Sequence, residues 1–195
     1  IIPTKNIKVY IDFVSLIKTE TKIKKINLVF NTLNIEQLKK ISASFKPSNF
    51  TSFIKNKIKK GEINTELEVY LGDENSLNNF IARGSILNLD AEITKNMILK
   101  KTNFNFFADK SDILIKNIYG EAGPFKIENG DLKAKLSSEI LIESNFKTYL
   151  KYNSRSKNYR NFIKDLRFAQ SINTVEAELN NSFFINFDQT YKIKR

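Results

Sequence analysis

From Glu62 to about residue 150 apolar and polar residues alternate almost without a break, the period of a strand with one buried face. "EINTELEVYL" sets Ile63, Leu67, Val69 and Leu71 against Glu62, Glu66 and Glu68. "FIARGSILNLDAEI" places Leu87, Leu89, Ala91 and Ile93 on one face, and "LKKTNFNFFA" adds Phe104, Phe106 and Ala108, leaving Phe107 out of phase. "DILIKNI" continues with Ile113 and Ile115. In "PFKIENGDLKAKL" Asn129-Gly130 stands between Phe125, Ile127 and Leu132, Ala134, Leu136, which predicts a tight hairpin. "EILIESNFKTYL" follows, and strands joined by short turns make an antiparallel meander.

The flanks extend this pattern. "NIKVYIDF" aligns Ile7, Val9, Ile11 and Phe13, and "KINLVFNTL" aligns Ile26, Leu28 and Phe30, with "IKTETKIKK" read as the turn between them. "INTVEAEL" and "SFFINFDQTYKIK" predict two closing strands, with Phe183, Ile185 and Phe187 in phase. No fixed-period repeat of a solenoid is present.

At Asn34 the period changes to that of a helix. Asn34 and Gln37 form a capping-box pattern ahead of Ile35, Leu38, Ile41 and Phe45, and Pro47 ends the segment. Ser48 then caps a second helix carrying Phe50, Phe53, Ile54 and Ile58, closed by Gly61 after the lysines of "KIKKG". Residues 34–61 therefore read as an amphipathic helix pair. Tyr159, Phe162, Ile163 and Leu166, behind Ser156, have the spacing of a third helix. The expected fold class is mainly β with α (α+β), a curved antiparallel sheet with a helix pair and a third helix.

The 195 residues suit one core and one domain. The sequence opens on Ile1, and its first alternating segment starts within a few residues, so the expectation is that 1–195 is a single module of a longer chain. No apolar run approaches the roughly 20 residues of a membrane-spanning helix.

With no Cys and no His, thiol nucleophiles, disulfides, Ser-His-Asp triads and imidazole bases are excluded. Carboxylates offer the remaining route to catalysis or cation binding: Asp109 and Asp112 flank one turn, Asp73-Glu74 mark another, and Glu62, Glu66 and Glu68 share the outer face of a strand. Turn caps and a solvated face explain them as simply. No catalytic residue, metal site or cofactor is assigned.

The net charge of +11 suits an anionic partner. Lys, Asn and Ile dominate throughout, as A+T-rich codons would produce, so the placement of charge carries more information than its total. Nucleic-acid stacking would need rings and cations in one groove. Here Phe and Leu share one face of the strands while Lys and Glu share the other, and nucleic acid ranks as a third choice.

Roughly nine strands about 4.8 Å apart make a sheet about 40 Å wide. Each covering helix is roughly 10 Å across, so a pair shields about half of it. The sheet curls on itself, or the third helix closes the gap, or part of the apolar face stays open as a groove. An ordinary core is the commonest use of such a face.

The wording of the sequence adds a resemblance. "TLNIEQLKKISASFKPSNFTSFIKNKIKKGEINTELEVYL", "FIARGSILNLDAEI", "TNFNFFADKSDILIKNIYGEAGPFKIENGDLKAKL" and "EILIESNFKTYL" resemble the AsmA-like proteins of Gram-negative bacteria, and among them the central-region modules of the YhdP type. The resemblance spans about residues 30–190. It implies a non-enzymatic envelope protein in the periplasm, anchored to the inner membrane through a segment outside this chain. Such a protein stacks curved β-segments into a hydrophobic groove that moves phospholipid toward the outer membrane. Its partners would be phospholipid acyl chains, neighbouring β-groove segments of the same protein, and outer-membrane or other envelope proteins.

Carried onto this chain, the groove candidates are Leu67, Val69, Leu87, Leu89, Phe104, Phe106, Ile113, Ile115, Phe125, Ile127, Ile140, Ile142 and Phe146. The helices depart from the pattern. By plugging the groove they would make this a structural or docking module in envelope assembly, without lipid contact.

Overall fold

The alternating run builds one antiparallel sheet of ten strands in the computed structural model, which describes residues 3–18, 21–43, 49–72, 76–94, 97–153, 155 and 173–188. Along the chain come β1 (Thr4–Ile11), α1 (Phe13–Ile17), β2 (Ile23–Phe30), β3 (Leu33–Asn34), α2 (Ile35–Ser42), α3 (Asn49–Lys57) and β4 (Ile58–Leu71). There follow β5 (Leu77–Thr94), β6 (Met97–Asp109), β7 (Asp112–Ala122), β8 (Phe125–Leu136), β9 (Ile140–Asn153) and β10 (Thr174–Phe187). Nine strands lie side by side in the order β1-β2-β4-β5-β6-β7-β8-β9-β10, and β3 pairs with β4. No described strand joins β1 to β10, so the sheet is open, and it is curved.

The curvature has a local cause. Register shifts interrupt the ladders of β4 with β5, β5 with β6, β6 with β7, and β8 with β9, all at comparable depth in the sheet. Asn88, Lys101 and Asn117 sit there with φ of 52°, 48° and 55°, the left-handed conformation of a bulge residue. Each backbone N–H turned out of the ladder finds a side-chain oxygen on a neighbouring strand. Asn88 donates to Asn103 Oδ1 at 2.9 Å, Lys101 to Asp90 Oδ1 at 2.9 Å and Asn117 to Asp131 Oδ1 at 3.2 Å. A transverse line of bulges bends the sheet along that line, and no donor is left unpaired to resist the bend.

Close approach at the bend explains Gly130. A Cβ there would strike the Phe146 ring. Asn129-Gly130 is accordingly no hairpin turn: β8 runs straight through it, shifting register between Ile127 and Asn129. The expected turn fails because Gly is needed for space, not for a reversal of the chain.

The helix pair forms, with shifted ends. Asn34 Oδ1 accepts from Gln37 N at 3.0 Å while Gln37 Oε1 accepts from Asn34 N at 2.9 Å, the reciprocal cap expected from the spacing. The second helix stops at Lys57, and Ile58 already pairs with Ala91 as the first residue of β4. Gly61, with φ of 155°, serves the register shifts at the start of that strand and not a helix end. Ile35, Leu38 and Ile54 are the described helix side chains packed on the sheet, against Ile58, Leu89 and Ala91.

Two further readings change. Phe13 leaves the strand and opens the short helix α1, and the two closing strands are one, β10. The Ser48 cap, Phe45, Pro47, the Asp73-Glu74 turn, the third helix at 159–166 and the tail from 189 lie outside the described residues. So do the side chains of Phe50 and Phe53.

Candidate functional site

Residues directly opposite on paired strands point to the same side of the sheet, so the registers assign every candidate to a face. One row crosses all nine strands: Ile7, Leu28, Leu67, Ala82, Ala108, Ile113, Ala134, Ile142 and Ile185 pair in succession. Every member is apolar, and at about 4.8 Å per strand the row is about 38 Å long. A second row begins at Gly84 and runs through Phe106, Ile115, Leu132, Ser144 and Phe183. On the other side of the first row lie Val69, which pairs with Ile26 and Phe80, and Ile140, which pairs with Leu136 and Phe187.

The bulge line divides this apolar face into two regions. On the helix side Leu89, Ala91, Ile118, Ala122 and Ile127 are buried, and Phe104 packs against both buried clusters there. Phe125 and Phe146 belong to the same region, where they pair with Leu150 and Gly130. On the far side Leu67, Val69, Phe106, Ile113, Ile115, Ile140 and Ile142 are all half-buried. The described parts of α2 and α3 pack on β3, β4 and β5, away from this end of the sheet.

Twelve of the thirteen candidates thus share one face. Leu87 does not: it pairs with Glu62 on the opposite face and is 37% exposed, because the bulge at Asn88 reverses the phase between Leu87 and Leu89. Phe107, out of phase in the sequence, also lies opposite, paired with Leu114. The row contributions of Ala82, Ala108 and Ala134 are missed by a search for large side chains, although they hold the same phase as their strands.

The outer face is ionic. Glu68 takes Lys25 Nζ at 2.7 Å and the Tyr70 hydroxyl at 2.7 Å, and Lys25 lies 5.3 Å and 5.2 Å from the ring centres of Tyr10 and Tyr70. Glu66 takes Asn27 Nδ2 at 2.7 Å and Arg83 Nε at 3.0 Å. The bond from Lys25, then that from Tyr70, holds the Glu68 carboxyl below its ordinary range, and Asn27, then Arg83, does so for Glu66. Glu68 in turn pushes Lys25 upward.

Two more carboxylates named from the sequence, Asp109 and Asp112, serve the turn that they flank. Asp109 Oδ1 accepts from the backbone N–H groups of Ser111 and Asp112, both at 2.8 Å, which lowers its carboxyl and caps the β6–β7 turn. Among the described residues no group of three acidic side chains is placed to hold a metal ion, and no helix is long and apolar enough to cross a membrane. Comparison of the chain with protein-family models, with curated proteins and with solved structures finds no match.

Proposed function

We propose that the chain is a non-enzymatic lipid-conducting module, whose apolar face beyond the bulge line receives the acyl chains of phospholipid. The observation that carries this reading is the unbroken apolar row across nine strands, ending on Ile7 and Ile185 at the two edges of the described sheet. A face built only to cover a core would be sealed at its edges, whereas an open trough needs apolar side chains out to both. Acyl chains need no reactive group, and ester and phosphate groups would stay in water. The resemblance to AsmA-like modules supports a place in the periplasm, an inner-membrane anchor outside this chain, and neighbouring β-segments that lengthen the groove toward the outer membrane.

The test is to purify the chain under native conditions and weigh it by native mass spectrometry, with a photo-reactive residue at Ile113 or Ile142. Bound phospholipid, and crosslinks to acyl chains from these positions, are the expected result. A lipid-free chain with no crosslinks from either position defeats the conduit.

A second reading, an assembly module without lipid contact, is favoured by α2 and α3, which close part of the same face over Leu89 and Ala91. Under it, the crosslinks from Ile113 would go to protein.

A further inference from the structure

The hairpin between β1 and β2 is built inside out. Helix α1 carries Phe13, Val14, Leu16 and Ile17, which are 73%, 57%, 47% and 72% exposed, while the buried residue of the helix is the polar Ser15. Ordinary packing would put Ser15 outside, so something must hold this arrangement. The Ser15 hydroxyl donates to Asp12 O at 2.8 Å and accepts from Lys22 N at 3.2 Å. Asp12 N donates to Lys22 O at 2.8 Å, and Lys24 Nζ closes on Asp12 Oδ1 at 2.6 Å. These polar pins fix the helix with its apolar side chains in water, a costly arrangement in isolation.

Position and charge indicate what removes that cost. The helix lies beyond the Ile11–Ile23 pair, at the end of the sheet where β4 turns into β5 beyond Leu71–Leu77, and Leu77 there is 55% exposed. The cluster is thus a convex tip, which a bilayer interface accepts without a complementary pocket. In the sequence of the tip, residues 12–25, four lysines outnumber Asp12 and Glu20; Lys25 is held by Glu68 on the ionic face, while Lys18 and Lys24 are exposed. Exposed aromatic and aliphatic side chains beside exposed lysines match the layering of an anionic membrane surface, apolar within and phosphate at the rim.

We infer that the β1–β2 tip is a membrane-docking wedge, which inserts Phe13, Leu16 and Ile17 among the acyl chains of an anionic bilayer while the exposed Lys18 and Lys24 meet its phosphates. The inference rests on the hairpin alone, independently of what the concave face carries. A docked tip would hold this end of the sheet at the bilayer, where lipid is available to any trough that opens there.

The chain has no Trp, so Phe13→Trp installs a single reporter. Its emission should shift to the blue with vesicles of phosphatidylcholine plus phosphatidylglycerol and hardly move with phosphatidylcholine alone. Tyr119→Trp, on the ionic face, should respond to neither. Phe13→Ser with Ile17→Ser should weaken co-sedimentation with the anionic vesicles about tenfold or more, with an unchanged circular dichroism spectrum because both side chains are already exposed. No blue shift with either vesicle overturns the inference, as does an equal shift with both. A blue shift in the absence of vesicles that tracks a doubling of mass in solution also overturns it, assigning the tip to a contact between copies. Loss of vesicle binding in the double Ser variant with lipid still bound at Ile113 separates this site from the trough.

Discussion

The two sides of the bulge line share strands, period and side-chain chemistry, yet among the described residues one is covered and the other is not. On the sealed side the ring of Phe146 occupies the space that a side chain at Gly130 would need. Helices α2 and α3 then cover what the bend leaves over β4 and β5. On the open side the ladder of β9 with β10 runs without a register shift, and in the nine-strand row Leu28, Leu67, Ala82, Ala108, Ile113, Ile142 and Ile185 are half-buried, Ile7 is exposed and Ala134 alone is buried. Burial of a strand face is therefore decided here by backbone geometry and by the placement of two short helices, not by composition. On the proposed function, stability belongs to one side and ligand access to the other.

A matched pair of alanines gives the largest separation. Ala91 on the sealed side is 1% exposed, and Ala108 in the nine-strand row is half-buried. An Asp at position 91 would have to bury an unpaired carboxylate, costing about 4 kcal/mol or more, enough to unfold a marginal domain. An Asp at position 108 can turn toward water, at about 1 kcal/mol. Urea unfolding of Ala91→Asp and Ala108→Asp measures both. Equal losses would mean that the open side is covered as tightly as the other.

Truncation of large side chains sharpens the contrast with less damage. Leu89→Ala removes a side chain packed against Ile54, Ile58 and Ala91 and should cost about 3 kcal/mol. Ile142→Ala removes a half-buried side chain with solvent beside it and should cost about 1 kcal/mol, while lowering any phospholipid carried by the chain. Thermal unfolding together with lipid extraction separates the two. If Ile142→Ala costs as much as Leu89→Ala and lipid content does not change, the open face is core.

The sequence conveyed the strands and most of the face, and it failed where the backbone changes phase. Phe106, Ile113, Ile115 and Ile142 could be assigned because alternation is regular on their side of the bulges. Leu87 was lost to the phase change at Asn88, which no glycine announced: Asn and Lys occupy the left-handed positions. Asn129-Gly130 carries the letters of a turn, but they answer to the approach of Phe146. Helix α1 was hidden because Phe13 continues the strand period of Ile7, Val9 and Ile11. Its reversal, Ser15 in and Phe13 out, depends on hydrogen bonds to Asp12 and Lys22 that periodicity does not encode. The cap at Asn34 was legible because its chemistry is local.

The smallest expected effect concerns the two edges of the sheet. At the β1 side Glu68 is 13% exposed and shared by Lys25 and Tyr70, with Glu66 beside it on Asn27 and Arg83. At the β10 side Glu176 meets Lys151 at 3.1 Å and Tyr149 at 3.0 Å, but carboxylate and lysine are 57% and 73% exposed. All three carboxyls are held below their ordinary range in the folded chain. A lowered folded pKa makes each contribution fully present above the ordinary carboxylate range and removes it as pH falls through the lowered value. Solvent screens the Glu176 pair and leaves it little to lose, whereas protonating Glu68 takes the acceptor from a nearly enclosed lysine. Acidification should therefore loosen β2 and β4 before β9 and β10, read as amide hydrogen exchange corrected for its intrinsic pH dependence. Glu68→Gln should flatten that trend at β2 and β4 and leave β9 and β10 unchanged. Equal loosening at both edges would place the acid sensitivity in the sheet as a whole and remove the Lys25–Glu68–Tyr70 cluster as its cause.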